Sequence, residues 1–154
     1  MDDFAKEIRS FKLGLPKKME REGEQKFTLA AGGLVFAHNK VLLDRSDSSD
    51  LWSLPGGIVR FDESPQETVV REMREELNLN AKVLDPKPYV FHFTTGNEQN
   101  IEHIYLIHFL IQVEAPARIK MGGGVVDYKW TSIGSHFRDC YPNVQPAVDY
   151  YMNI

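Results

Sequence analysis

The chain has 154 residues, 42% of them hydrophobic and 26% charged, which fits a single globular domain with a sizeable core. The net charge of −4 argues against general nucleic-acid binding, because proteins that bind phosphate backbones are normally basic. Cys140 is the only cysteine, so no intrachain disulfide can form, and a reducing, cytoplasmic location is expected. We expect neither a signal peptide nor a membrane helix, because no apolar run approaches the ~20 residues that such a helix needs.

The first predicted element is an amphipathic helix over residues 2–12. Its apolar residues recur at helical spacing: Phe4, Ile8 and Phe11. We therefore predict an N-terminal helix and linker over residues 1–16, followed by a single domain over residues 17–154. The apolar side of the helix should pack on this domain or on a second copy of the chain, which would make the protein a homodimer.

Most of the rest of the chain reads as strands separated by turns rich in glycine, proline and asparagine. The predicted strands are residues 27–37, 41–44, 82–84, 89–94, 101–113 and 125–132. One helix is predicted in the centre of the chain and another over residues 145–154. This arrangement predicts an α+β fold, a mixed α/β sandwich.

The central helix is predicted over residues 65–77, with both of its ends marked. Ser64 can cap the N-terminus, and Glu67 three residues later completes a capping box. Pro65 fits the first helical position, where its missing N–H costs nothing. Asn78 can take the left-handed conformation that ends a helix.

Three carboxylates of this helix should lie side by side, at positions i, i+3 and i+4: Glu72, Glu75 and Glu76. The apolar side should consist of Val69, Val70, Met73 and Leu77. Like charges at this spacing repel one another, which makes sense if a cation lies between them. Mg²⁺ prefers carboxylate oxygens and takes the phosphates of a substrate as further ligands. The alternative is a solvated acidic surface that Arg71 and Arg74 partly neutralise.

The segment Gly57–Leu79 resembles the Nudix box, G-x5-E-x7-R-E-U-x-E-E-x-G-U, where U is a bulky aliphatic residue. Its fixed positions carry Gly57, Glu63, Arg71, Glu72, Met73, Glu75, Glu76 and Leu79. Only the last glycine differs: Asn78 stands there, a residue that tolerates the left-handed conformation. The preceding residues 52–56, Trp-Ser-Leu-Pro-Gly, match the W-x-x-P-G-G entry that is typical of the family.

The resemblance implies a mixed sheet packed between helices and a Mg²⁺-dependent hydrolase, with Mn²⁺ as a substitute. Such an enzyme would cleave the diphosphate linkage of a nucleoside diphosphate linked to another moiety: a nucleotide sugar, an ADP-ribose-like compound or a nucleoside triphosphate. Its partner would be a small-molecule nucleotide, not a nucleic acid or a membrane. Residues 94–97, Thr-Thr-Gly-Asn, carry no mark of the ADP-ribose or dinucleoside-polyphosphate types, so the substrate stays open. The alternative class is a nucleotide-binding sensor with weak catalysis.

The resemblance also implies roles for the residues of the box. The metal ligands would be Glu72, Glu75, Glu76 and the backbone carbonyl of Gly56. Arg71 would orient the carboxylates through a bidentate ion pair. Glu63 would do the same from the loop, or would bind a further ion. The catalytic base would be Glu75, Glu72 or an acid from another loop, and the sequence does not separate base from ligand.

Residues outside the box are weaker candidates, each with a structural alternative. Asp127 could be the acid from another loop, because related enzymes often place an extra ligand or base in this region. Glu98 and Glu102 compete for that role. Arg45 could reach a phosphate or lie on the surface. Tyr89 could stack on a base, although alternating aromatic residues in a strand usually belong to the core.

Overall fold

The computed structural model describes residues 24–114 and 118–153, and the predicted N-terminal helix and linker lie outside them. The strands are β1 (Glu24–Leu34), β2 (Phe36–Ala37), β3 (Lys40–Ser46), β4 (Gly56–Ile58), β5 (Ala81–Val83), β6 (Tyr89–Gly96), β7 (Asn100–Val113) and β8 (Val125–Ser132). The helices are α1 (Pro65–Leu77) and α2 (Val144–Met152). Among the described residues, no helix is long and apolar enough to cross a membrane.

The strands form two sheets. The larger sheet has the order β4-β1-β7-β5, with β6 also paired to β7, and the smaller sheet has the order β2-β3-β8. Two sheets combined with two helices confirm the predicted α+β class. The single strand predicted over residues 27–37 is wrong in one respect. The chain leaves the larger sheet at Val35 and continues in the smaller one, so this segment forms two strands, β1 and β2.

The chain divides into two compact units by its internal contacts. The smaller unit contains the described residues 24–28 and 93–104. Within it, the hydroxyl of Thr28 donates a hydrogen bond of 2.7 Å to the carboxylate of Glu102. The larger unit contains all the other described residues, and therefore both helices and the whole of the smaller sheet.

The larger unit has two hydrophobic clusters, and β3 contributes to both. Leu42 packs in the first cluster, whereas Val41 and Leu43 pack in the second, because successive side chains of a strand point to opposite sides. Helix α1 supplies Val69, Met73 and Leu77 to the first cluster, and α2 supplies Val144, Ala147 and Val148 to the second. The next residue on the side of Leu42 is Asp44, so the strand directs a carboxylate towards α1.

The prediction of the apolar side of α1 is wrong at one residue, Val70. Val70 is 39% exposed, and Thr68 is buried instead. The hydroxyl of Thr68 lies 2.8 Å from the carboxylate of Glu63 and 3.1 Å from the carbonyl of Ser64, and it can donate to either. Burial of a polar side chain costs little when it is hydrogen-bonded, so the packed side of the helix begins at Thr68.

A histidine in β7 is buried and has both ring nitrogens engaged. His108 Nδ1 lies 3.1 Å from the carbonyl of Tyr89, and Nε2 lies 2.9 Å from the side-chain amide nitrogen of Asn143. A carbonyl only accepts and an amide N–H only donates, so the ring is neutral with its proton on Nδ1. Burial lowers the pKa of His108.

This neutral histidine predicts a loss of stability in acid. The folded pKa is lowered, so below the ordinary value of about 6.5 the unfolded chain binds a proton that the folded chain does not. The free energy of unfolding should therefore fall as the pH drops from 7 towards 5, by at most ~1.4 kcal/mol per pH unit for this one group. Urea unfolding across this pH range should give a shallower pH dependence for His108→Gln than for wild type. The exposed His136→Gln should keep the wild-type slope. Equal slopes for wild type and His108→Gln would contradict the assignment.

Candidate active site

Helix α1 is fixed at both ends, as predicted. The side chain of Ser64 accepts a hydrogen bond of 3.1 Å from the N–H of Glu67, whose carboxylate accepts one of 3.2 Å from the N–H of Ser64. Asn78 has φ 57° and ψ 37°, and its N–H donates to the carbonyl of Arg74. The capping box and the left-handed C-terminal residue are thus confirmed, and they hold the glutamates of the helix in a defined direction.

The left-handed conformation of Asn78 sets a limit on substitution there. Asn78→Gly should change the free energy of unfolding by no more than ~1 kcal/mol, because glycine adopts positive φ without strain but has more freedom in the unfolded chain. Asn78→Val should lose more, because a β-branched side chain resists this conformation. Thermal unfolding of the two variants and wild type measures the difference. Equal melting temperatures for the Gly and Val variants would count against the prediction.

Arg71 is the centre of an ion-pair network on the loop side of α1. Its Nε and Nη2 atoms donate to the two carboxylate oxygens of Glu63, at 2.9 and 2.6 Å. The Glu63 carboxylate also accepts from the N–H of Arg60 and the hydroxyl of Thr68. The hydrogen bonds from Arg71 lower the pKa of Glu63 to about 2. Glu63 is therefore an anion at neutral pH, and its oxygens are already used to hold Arg71.

The remaining guanidinium nitrogen of Arg71 reaches two other glutamates of α1. Nη1 donates to Glu72 Oε1 at 2.9 Å and to Glu75 Oε2 at 3.2 Å. Their exposures differ: the side chain of Glu72 is 14% exposed and that of Glu75 is 48% exposed. Arg71 thus fixes the orientation of one enclosed carboxylate and one that is open to solvent.

Two glycines let the backbone of the preceding loop approach this network. An added Cβ at Gly57 would lie 2.2 Å from Glu72 Oε1, so only glycine leaves room for this carboxylate. Gly56 pairs with Gly32 of β1, and an added Cβ on it would lie 2.1 Å from the carbonyl oxygen of Ala31. Gly56, whose backbone carbonyl is expected from the family resemblance to bind the metal, therefore lies in a segment that packs against both α1 and β1.

Glu76 faces another acid, the buried Asp44 of β3. Burial is the main factor that raises the pKa of the Glu76 carboxyl, and the nearby charges of Asp44 and Glu72 add to it. Burial likewise raises the pKa of Asp44, which is 4% exposed. Ser53 donates a hydrogen bond of 3.0 Å to Asp44 Oδ1, whereas Asp44 Oδ2 has no hydrogen-bond partner. Asp44, Glu72 and Glu76 therefore form a carboxylate cluster between β3 and α1.

Sequence reasoning missed Asp44. A signal was present, because the apolar run Val41–Leu43 is followed directly by an acid and alternation along a strand places Asp44 on the same side as Leu42. That this side faces α1 depends on the packing of the smaller sheet, which the sequence pattern does not specify.

The other predicted candidates lie apart from the carboxylate cluster in their contacts. Asp127 is exposed in β8, opposite Arg45, and accepts a hydrogen bond from the N–H of its neighbour Tyr128. The guanidinium of Arg45 lies over the ring of Trp52, 5.6 Å from its centre. Tyr89 stacks on the ring of Tyr150 in α2 and packs against the second hydrophobic cluster, as its structural alternative predicts. Glu98 and Glu102 belong to the smaller unit.

The chemistry of the carboxylate cluster fits a hard divalent cation. All its donors are carboxylate oxygens, which Mg²⁺ prefers, and Asp44 Oδ2 is buried without a donor. In the described part of the chain, no three acidic, histidine or cysteine side chains already converge closely enough to hold a metal ion. Arg71 holds only Oε1 of Glu72, and ligation of a metal ion would require the side chains of the carboxylate cluster to move closer together.

Comparison with known sequences decides the family. A sequence model of the NUDIX domain matches residues 26–148. The chain belongs to the NUDIX family. It is 31% identical over 88 residues to an ADP-ribose pyrophosphatase of Methanocaldococcus jannaschii, in an alignment that covers 55% of this chain and 50% of that protein. It is 27% identical over 95 residues to an 8-oxo-dGTP diphosphatase of Proteus vulgaris, covering 57% of this chain and 78% of that one.

Several solved structures share the fold of this chain. The solution structure of the E. coli ORF135 protein superposes with a TM-score of 0.61 at 25% identity, over 84% of this chain and 91% of that one. An Ap4A hydrolase from C. elegans superposes with a TM-score of 0.66 at 16% identity, over 82% and 96% of the two chains. The chain spans only about a third to a half of the two relatives named for ADP-ribose, 35% and 50% of their lengths.

Proposed function

We propose that this NUDIX protein is a Mg²⁺-dependent hydrolase that cleaves the diphosphate linkage of a nucleoside diphosphate joined to another moiety. The observation that carries the proposal is the carboxylate cluster, with Glu72 and Glu76 on one turn of α1 and Asp44 facing them. Arg71 and Glu63 flank it as a preformed ion pair. A binding domain without catalysis has little need for several acids packed against one another.

Each residue of the site has a proposed task. A bound Mg²⁺ would offset the charge on the diphosphate oxygens and make a water more acidic. Glu72 and Glu76 would hold it, with the Gly56 carbonyl as a further ligand. Arg71 and Glu63 would position Glu72 by the hydrogen bonds described above. Glu75 would take the proton of the attacking water, since it is solvent-accessible and Arg71 fixes one of its oxygens.

The names of the relatives that this chain resembles support the proposed substrate class. Their names refer to ADP-ribose, 8-oxo-dGTP and CTP, which all contain a nucleoside diphosphate unit. The net charge of −4 fits a small nucleotide better than a polynucleotide. Locally, the carboxylate cluster would repel phosphates until a cation is bound.

A substrate panel tests the proposal. ADP-ribose, CTP, 8-oxo-dGTP and a nucleotide sugar are incubated with the protein and Mg²⁺, and the nucleotide and phosphate products are identified. We expect cleavage within the diphosphate of at least one compound and its loss after EDTA treatment, with recovery when Mg²⁺ or Mn²⁺ is added. Tight binding of one compound by calorimetry, without cleavage in the presence of Mg²⁺, would indicate a sensor instead.

A further inference from the structure

We propose that Asp44, which lies outside the family motif, is an additional carboxylate ligand of the cation held by Glu72 and Glu76. This inference rests on the proposed function for the presence of that cation. It concerns the binding of the metal itself, however, and can be tested without a substrate. It adds a strand residue of the smaller sheet to a metal site that the motif assigns to α1 and the Gly56 loop.

Asp44 lies on the side of β3 that faces α1. In β3 it follows Leu43 and shares the side of Leu42, which packs in the cluster containing the apolar residues of α1. Its cross-strand neighbour in β8 is Tyr128. The side chain is 4% exposed, so this is a carboxylate enclosed by the fold and aimed at the helix that carries the glutamates.

The two carboxylate oxygens of Asp44 have different surroundings. Oδ1 accepts a hydrogen bond from the hydroxyl of Ser53 at 3.0 Å. Oδ2 is buried and receives no hydrogen bond from an N–H or hydroxyl group of the described residues, and the neighbouring group is the Glu76 carboxyl, with which it can share a proton when no cation is present. Buried polar atoms are nearly always hydrogen-bonded, and an exception calls for a missing partner. Here the partner must be positive or must donate a proton.

Among the described residues, no cationic side chain is available as a partner for Asp44 Oδ2. Arg71 is committed to Glu63, Glu72 and Glu75. The guanidinium of Arg45 lies over the ring of Trp52. Successive side chains of a strand point to opposite sides, so Arg45 points away from the side on which its neighbour Asp44 lies. A purely structural acid would be expected to face an N–H or hydroxyl donor, whereas Asp44 Oδ2 faces another acid, with which it can only share a proton. A divalent cation from solution would replace that proton and offset the charge of both carboxylates.

The test measures binding of Mn²⁺ alone to metal-free protein by calorimetry. Asp44→Asn keeps the shape of the side chain and an oxygen for Ser53, but it loses the anionic oxygen that would bind the metal. We expect its affinity for Mn²⁺ to fall by about tenfold or more. Its melting temperature in EDTA should equal or exceed that of wild type, and the rise in melting temperature on adding Mg²⁺ should shrink. Asp149→Asn removes one charge from α2, where an amide oxygen can still accept from Gln145, and should keep wild-type affinity.

The outcomes separate this inference from the proposed function. Wild-type affinity for Mn²⁺ in Asp44→Asn would overturn the inference, and so would a lower melting temperature in EDTA with an unchanged rise on Mg²⁺ addition. Either result leaves the hydrolase standing if wild type cleaves a nucleotide. Weakened metal binding in a protein that cleaves no compound of the panel would support Asp44 as a ligand and refute the hydrolase. If the Asn variant does not fold, Asp44→Ala deletes the carboxylate without adding an N–H donor, and the same readings apply.

Discussion

Glu75→Gln and Glu76→Gln should each reduce the rate of nucleotide hydrolysis by ~10²-fold or more, the scale of a lost general base or metal ligand. Both substitutions keep the size and helix propensity of the side chain. Glu76 lies against Asp44 in the interior, whereas the side chain of Glu75 is 48% exposed. The two variants should therefore fail for different physical reasons.

Glu76→Gln should lose affinity for Mn²⁺ together with activity, because it removes from the carboxylate cluster a carboxyl group that can give up its proton and bind the cation. Glu75→Gln should keep most of its metal affinity and lose kcat, because the task proposed for Glu75 is to accept the proton of the attacking water. In metal-free protein, Glu76→Gln should be as stable as wild type or more so, because it relieves the contact between the Glu76 carboxyl and the buried acid Asp44. Calorimetry with Mn²⁺, steady-state kinetics and thermal unfolding in EDTA give the three readings.

Glu114→Gln is the matched control, since Glu114 is an exposed acid that follows β7 and lies outside the site. It should retain wild-type kinetics and metal affinity. Full activity in both Glu75→Gln and Glu76→Gln would refute catalysis by the glutamates of α1. Equal loss of metal affinity in the two variants would refute the division of roles between them.

The sequence predicted α1 best because its signals are local. Ser64, Pro65 and Glu67 act on backbone groups within one turn, and Asn78 acts on the last turn, so no tertiary contact is needed to recognise them. The side of the helix that packs was predicted less well. Thr68 is buried because its hydroxyl is hydrogen-bonded to groups of the loop before the helix. A prediction from hydrophobicity alone places valine, and not threonine, on the packed side.

The candidate site was predictable only where one segment contains it. The resemblance implied a bidentate ion pair between Arg71 and the carboxylates without naming Glu63 as the partner, and the structure has this pair on Glu63. Asp44 comes to α1 from another strand, through the packing of the smaller sheet on the helix. Arg45 and Tyr89 were proposed for their side-chain chemistry alone, and their partners are Trp52 and Tyr150, which no local pattern identifies.

Gly57→Ala should cut the hydrolysis rate by ~10²-fold, the effect of misplacing a reacting group by about 1 Å, with little loss of stability. The added methyl group would lie 2.2 Å from Glu72 Oε1 and 2.6 Å from its Cδ, so the end of this side chain must move. Glu72 Oε1 is the atom that Arg71 holds at 2.9 Å, and the same shift disturbs both contacts. Gly57 has no positive φ, so alanine fits the backbone and slightly restricts the unfolded chain.

Gly134→Ala is the matched control, because its added Cβ would come no closer than 3.9 Å to another group, the hydroxyl of Ser132, and its φ is not positive. It should keep wild-type activity. The decisive comparison is made in the background of Glu72→Gln. If the methyl group at Gly57 acts only by displacing the Glu72 carboxylate, the double variant should be about as slow as Glu72→Gln alone, because both changes remove the same interaction. Multiplied losses in the double variant would show that Gly57 contributes by another route, such as the placement of the Gly56 carbonyl beside it.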